Sequence, residues 1–182
     1  MEPTSLAVVS APVVTEGIKF FYGQAGELLK KRRERSEKKD ESQAVLPAPP
    51  ADVFEGEVEQ TPADFEVVEK FKDELPALWS ALGPYAQGIG VVEASNTALL
   101  ETTDSLRKII EAVHGQRMTL KGEPRPESRP VVLGQVEIDD VAGEVTAVLA
   151  RTVRSGQVSG TVKAKTVRQG GKVVGVQADD IG

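Results

Sequence analysis

Few residues of this 182-residue chain have types and spacings that suit chemistry. The chain has no cysteine and one histidine, which excludes disulfides, thiolate metal sites, cysteine nucleophiles and histidine-rich metal clusters. Two acidic pairs, Asp139-Asp140 and Asp179-Asp180, lack the glycine spacing of a calcium loop. The glycine turns at Gly156 and Gly170 lack the pattern of a phosphate-binding loop. The sequence therefore predicts a protein that is not an enzyme and uses no cofactor.

The histidine and a basic run suit structural or surface roles. His114 lies near the end of a predicted helix, where the helix dipole favours a cation, so a capping role explains it better than catalysis. The run from Lys30 to Lys39 suits a solvated helix end or, with the aromatic residues before it, an anionic membrane surface. An acidic block follows the run, so nucleic acid is an unlikely partner. The residues of the candidate membrane or partner face are Ile18, Phe21, Tyr22, Lys30, Lys31, Arg32 and Arg33.

Three stretches with apolar residues at helical spacing predict a small N-terminal helical bundle. The first runs from Thr15, as N-cap, to Lys39, and its glycines suit the close approach of another surface. The second begins near Pro62 and kinks or restarts at Pro76. The third has an apolar residue at every seventh position, namely Val92, Leu99, Leu106 and Val113.

Changes in composition divide the chain into five parts. Residues 1–39 are the first helix with its basic end, and residues 40–62 are an acidic, proline-rich linker. Residues 63–118 are a helical region that packs with the first helix. A second proline-rich linker, residues 119–131, leads to a β-repeat over residues 132–182. The expected fold class is α+β, and without a signal peptide or membrane span the expected location is the cytoplasm.

The tail contains four copies of a short pattern that is rich in β-branched residues, separated by glycine-containing turns. The last three copies recur at intervals of 14 residues. Two architectures fit: a β-solenoid with one copy per rung, or an antiparallel meander with one copy per strand. The change of parity between Ala150 and Val153 favours the solenoid. The copies are residues 136–141, 147–153, 161–167 and 175–181.

The repeated apolar positions, with one glutamine, are the predicted self-association site. Its residues are Val136, Ile138, Val141, Val148, Ala150, Val153, Val162, Ala164, Val167, Val176, Gln177, Ala178 and Ile181. Such positions would bring β-branched residues of neighbouring rungs together.

A charge ladder accompanies these positions, formed by Asp139, Arg151, Lys165 and Asp179. If copies stack in order, Asp139 lies beside Arg151 and Lys165 beside Asp179, each pair contributing about 0.2–1 kcal/mol. Stacking of whole chains would then set Asp179 against Asp139, which argues against an unlimited fibre. Alternatively, the charges only keep the sheet edges soluble.

The tail resembles the amyloid signalling motifs of immune and cell-death proteins: the fungal prion-forming repeats, the RIP homotypic interaction motif and bacterial counterparts beside NLR-type receptors. Gly175-Val176-Gln177 is similar to the core of the RIP-type motif, whereas Ala178 and Asp179 depart from it. The resemblance covers about a quarter of the chain. It implies a helical adaptor or effector domain and a tail that assembles with itself or with a protein carrying a similar β-motif.

The leading functional hypothesis is therefore a signalling or assembly protein, in the setting of immune cell death. One alternative is a structural or binding module with a closed β-solenoid tail. A second alternative is a helical effector that acts on membranes through its first helix.

Overall fold

The chain folds into two compact units, residues 1–128 and residues 129–182. Helices form most of the first unit and strands form the second, which confirms the predicted α+β class. The computed structural model describes residues 5–38, 43–141, 144–153, 157–168 and 172–181.

The first unit is a helical bundle. Helices α1, α3 and α4 pack against one another, as expected of amphipathic helices that bury their apolar faces together. The elements described in this unit are a 3-10 turn (Ser5–Val8), α1 (Ala11–Lys38), α2 (Phe65–Lys70), α3 (Glu74–Ala86), α4 (Thr97–His114) and a two-residue strand, β1 (Gln116–Arg117).

Helix α1 forms around a stripe of apolar residues spaced alternately by four and three positions. The buried residues of the stripe are Val14, Ile18, Phe21, Ala25 and Leu28. The helix begins before the predicted N-cap because Pro12 fits the first turn of a helix. Thr15 is therefore inside the helix, where its hydroxyl donates a hydrogen bond to the Ala11 carbonyl at 2.8 Å.

Two glycines of α1 lie where another element passes close to the helix. A Cβ atom on Gly17 would lie 3.0 Å from the methyl groups of Leu120, and one on Gly26 would lie 3.3 Å from the indole nitrogen of Trp79. The expected close approach is confirmed at these two positions. The surface that approaches is the protein's own core.

The second predicted helix is two helices, α2 and α3. The chain turns at residues 71–73, whereas Pro76 lies in the first turn of α3, where proline is tolerated. Asp64 caps α2 by accepting hydrogen bonds from two backbone amides of the first turn. Asn96 caps α4 by accepting a hydrogen bond from the Leu99 amide, and Gly115, with φ of 61°, ends α4 in the left-handed conformation.

The described part of the predicted acidic linker, residues 43–62, packs against the bundle and is not a linker. Leu46 and Val53 are buried, and Phe54 packs edge-on against Phe20 with ring centroids 5.1 Å apart. Proline and negative charge disfavour helix and strand, which is why the composition suggested a linker. They do not prevent an extended segment from burying its apolar side chains.

The second predicted linker, residues 119–131, is also mostly part of the first unit, whose boundary falls after Ser128. Leu120 is fully buried. The Glu55 amide donates to the Thr119 carbonyl, and the Lys121 amide donates to the Val53 carbonyl, both at 2.9 Å. The two segments predicted to be linkers therefore pair with each other along the bundle.

A buried ion pair fixes the second of these segments to α4. The guanidinium Nη1 of Arg107 lies 2.6 Å from Oε2 of Glu123, and both side chains are almost completely inaccessible to water. Arg107 also pairs with Asp104, and Glu123 accepts hydrogen bonds from the Leu120 amide and the Ser5 hydroxyl. The Glu123 carboxylate thus connects α4 with Ser5 and with the Leu120 amide.

The second unit consists of parallel strand pairs. Strand β2 pairs with β4, and β3 pairs with β5, both in parallel. The predicted antiparallel meander, which requires consecutive strands to pair, is therefore wrong for the described strands. They form two small sheets and not a closed solenoid. The strands are β2 (Arg129–Val141), β3 (Glu144–Val153), β4 (Gln157–Val167) and β5 (Lys172–Ile181).

Substitution of Arg107 by Met is expected to lower the free energy of unfolding of the first unit by up to about 3–5 kcal/mol, because it leaves the buried Glu123 carboxylate with only the more distant guanidinium of Arg125, 3.9 Å away. The double variant Arg107→Met/Glu123→Met should lose much less. Urea unfolding followed by Trp79 fluorescence measures both. The matched control is Arg32→Met, which removes an exposed ion pair with Glu69 and should have little effect. An Arg107→Met protein as stable as this control would contradict the prediction.

Candidate self-association site

The two parallel pairings of the second unit have constant offsets. Each β2 residue pairs with the β4 residue 26 positions later, as in Val136 with Val162. Each β3 residue pairs with the β5 residue 28 positions later, as in Val148 with Val176. A strand therefore pairs with the next strand but one, across two copies of the sequence repeat.

These offsets bring the predicted self-association residues together in pairs. Adjacent positions on neighbouring parallel strands share a sheet face, so like residues are adjacent to like. Gln177 is paired with Leu149. The other pairs are Val136–Val162, Ile138–Ala164, Val141–Val167, Val148–Val176, Ala150–Ala178 and Val153–Ile181.

The predicted neighbours in the charge ladder, by contrast, are wrong. Asp139 was expected beside Arg151, but its neighbours Ile138 and Asp140 pair with Ala164 and Thr166, so Asp139 falls opposite Lys165. The reason is covalent, because parallel strands need a crossover of about a dozen residues or more. Only residues 142 and 143 separate β2 from β3, so these strands cannot be parallel partners.

The same register places Arg151 opposite Asp179, because Ala150 pairs with Ala178 and Thr152 pairs with Asp180. Lys165 was expected beside Asp179, so this neighbour relation is corrected as well. Both observed pairings still join opposite charges. In this backbone register the ladder positions connect alternate copies of the repeat.

Two further opposite-charge pairs were missed by the sequence reasoning. Glu137 pairs with Lys163 in the β2–β4 register. Glu144 pairs with Lys172, whose Nζ lies 2.9 Å from the carboxylate in an ion pair that is more than half exposed. Exposed ion pairs contribute little stability, but they discriminate between registers. Comparison of alternate copies, rather than successive copies, would have found these residues.

The strands of the second half have unpaired edges. Strands β4 and β5 each end a sheet, with no further strand beside their outer edges among the described residues. Val167 is 50% exposed, and Val176 is 38% exposed. The β3–β5 sheet has only two strands, and such sheets are marginally stable in water. An open edge with exposed valines is a template for another strand.

The predicted membrane face of α1 is wrong in its apolar part. Ile18 and Phe21 are fully buried within the first unit, and Tyr22 stacks on Trp79 with ring centroids 5.1 Å apart. Ile18 and Phe21 belong to the stripe that packs the bundle, and Tyr22 packs against the same core, so these side chains cannot also enter a bilayer. None of the described helices has the length and apolar character needed to cross a membrane.

The basic residues of the same face are surface residues, and two of them form ion pairs within the first unit. Arg32 pairs with Glu69 at 2.5 Å, and Lys31 pairs with Glu34 at 3.3 Å. Lys30 and Arg33 are exposed. The ion pair of Arg32 connects α1 with α2, which gives part of the basic run a structural role.

His114 does not cap α4 as a cation. The side chain of His114 is only 5% exposed. Its Nδ1 lies 3.1 Å from the Thr61 carbonyl oxygen, which can only accept a hydrogen bond, so Nδ1 carries the proton. Burial lowers the pKa of His114 below its ordinary value of 6.5, although hydrogen bonds to backbone carbonyls oppose the shift. The ring is therefore a neutral core residue, and Gly115 ends the helix.

No protein-family model, curated protein or solved structure matches this chain.

Acidification is expected to destabilise the first unit through His114. Because the folded-state pKa is lowered, the unfolded chain binds the proton first, and stability is lost as the pH falls through about 6.5. The free energy of unfolding should fall by at most about 1.4 kcal/mol per pH unit between about pH 7 and pH 5.5. His114→Gln should remove this slope. Urea titrations at several pH values measure it, and an unchanged slope in the variant would assign it to other groups.

Proposed function

We propose that this protein is a non-enzymatic signalling or assembly protein whose second unit associates with copies of itself or with a protein that carries a similar β-motif. One observation supports the proposal above all. Alternate copies of the repeat pair in parallel with like residues on like and opposite charges opposed, while β4 and β5 keep open edges. The contacts within one chain are those that a stack of chains would repeat.

The physical reason for association is the incomplete burial of the strands. The β3–β5 sheet has only two strands, so one side of each backbone ladder is unsatisfied, and valines such as Val167 on β4 and Val176 on β5 are exposed. A further pair of strands on β4 and β5 would satisfy those backbone groups and cover the valines. Each added chain would gain the same backbone hydrogen bonds and bury the same valines, as in cross-β assemblies.

The first unit is proposed to be the adaptor or effector part. It has a hydrophobic core of its own, built from α1, α3, α4 and the segments that pack along them. Such a unit can stay folded while the second unit assembles. An output in immune cell death is proposed on the resemblance of the tail to amyloid signalling motifs. The membrane-active alternative loses its support because Phe21 is buried.

The full-length protein is expected to form assemblies with a meridional spacing of about 4.7–4.8 Å and thioflavin binding as its concentration rises. Val176→Asp should slow assembly at least about tenfold, because stacking would bury an unpaired carboxylate. The matched control is Val91→Asp, which also replaces an exposed valine but lies in the loop between α3 and α4. The control should assemble like the parent protein.

Sedimentation, thioflavin fluorescence and fibre diffraction measure the assembly, and Trp79 fluorescence shows whether the first unit remains folded. A parent protein that stays monomeric at high concentration, even with preformed seeds, would contradict the proposal. Equal assembly of Val176→Asp and Val91→Asp would show that the β-repeat is not the interface.

A further inference from the structure

We propose that the first unit contains a binding site for a small, neutral aromatic molecule that donates a hydrogen bond to Nε2 of His114. The site is a cavity of about 330 Å³ between helix α1 and the extended segment that begins at residue 43, and His114 is part of its lining. Every residue of this site belongs to the first unit, so the site does not depend on the proposed self-association.

The cavity combines apolar walls with a few polar groups. Leu28 of α1 forms one wall, and Val45 and Pro47 of the extended segment form part of the other. The side-chain amides of Gln24 and Gln43 add hydrogen-bonding groups to this lining. Sites for small molecules have the same composition and volumes of about 300–1,000 Å³, so this cavity suits a molecule of one or two fused rings.

Backbone hydrogen bonds fix the wall that the extended segment contributes. The Leu46 amide donates to the Thr61 carbonyl at 2.9 Å, and the Ala63 amide donates to the Ala44 carbonyl at 2.7 Å. Leu46 is fully buried and anchors the segment in the core. The Thr61 carbonyl also accepts the hydrogen bond from His114, so the wall and the ring are held together. A site whose walls are fixed before binding loses less entropy when a ligand enters.

The tautomer of His114 determines what the ligand must supply. Nδ1 carries the proton and donates it to the Thr61 carbonyl, so Nε2 of the neutral ring has a lone pair and can only accept. Nε2 is buried and has no hydrogen-bond partner among the described residues. The Pro62 carbonyl, which also interacts with the ring, is an acceptor too and cannot satisfy it. Because a buried, unpaired polar group is costly, an N–H or O–H donor is the group that the ring lacks.

The surroundings of the ring favour a neutral donor over an anion. His114 is the last residue of α4, and the partial negative charge at this end of the helix attracts a donor group and repels an anion. Nε2 is almost closed off from water, so a donor reaches it by displacing a lining side chain, and the exposed side chain of Gln43 can move in this way. Water can also donate to Nε2, but only a ligand with an apolar body covers Leu28 and Val45 as well.

Two probes of the same shape test the site in the full-length protein. Indole has an N–H donor, whereas benzofuran has an oxygen in its place. His114 is the only histidine of the chain, so the ¹⁵N NMR signal of its Nε2 is unambiguous. Indole should shift this signal toward that of a hydrogen-bonded nitrogen, with a dissociation constant on the order of 0.1–1 mM. Benzofuran should bind at least about tenfold more weakly, because it leaves Nε2 unpaired.

A pair of matched variants locates the binding. Ala44→Leu enlarges a residue that lines the cavity, whereas Ala7→Leu makes the same change in the 3-10 turn. Both alanines are partly buried against the core, so the two changes are comparable in their effect on packing. Ala44→Leu should weaken the binding of indole at least about tenfold, because the added atoms occupy the cavity. Ala7→Leu should bind indole as the parent protein does, and backbone amide spectra show that each variant is folded.

Three results would overturn the proposed site. If neither probe moves the His114 signal at millimolar concentrations, the cavity takes up water at most. If indole and benzofuran bind equally well, Nε2 does not select a donor. If folded Ala44→Leu binds indole as tightly as Ala7→Leu, the molecule binds elsewhere. The comparison of the two probes on the parent protein needs neither variant, and none of these results affects the proposed self-association of the second unit.

Discussion

The architecture of the second unit depends on the parallel pairing of strands that are two repeats apart. The connection between β2 and β3 is too short for a parallel crossover, so each strand must find its parallel partner one strand further along. Antiparallel pairing of β2 with β3 around residues 142–143 would place Asp139 opposite Thr146 and Glu137 opposite Val148, without charge pairing. The parallel register instead opposes Glu137 with Lys163. Repeat, charge and connection length therefore agree on one pairing.

The two units bury their apolar side chains to different extents. The first unit encloses its apolar stripe completely and even buries an ion pair between Arg107 and Glu123, with α4 and the segment after it fixed together. The second unit leaves strand edges and valines open. A closed unit next to an open one suits a protein in which one part keeps a defined shape while the other part associates.

The sequence predicted the helices of the first unit well, because a stripe with a spacing of three and four can be buried only as a helix face. It misjudged residues 43–62 and 119–128, which form no helix but contribute Leu46, Val53 and Leu120 to the core. Their proline and charge content determines their backbone, whereas their burial depends on the groove that the helices leave. For the same reason, the apolar stripe of α1 that contains Phe21 was compatible with either a membrane-binding face or a core-facing one, and it faces the core.

For the β-repeat, the sequence by itself determined which positions are equivalent and how their charges alternate. It excluded cysteine chemistry and predicted the α+β class. Only the tertiary structure decided that alternate copies pair, which changed the partner of Asp139 from Arg151 to Lys165. The reason is that a repeat specifies which residues are equivalent but not which copies are neighbours. Neighbours follow from strand direction and connection length, which are properties of the folded chain.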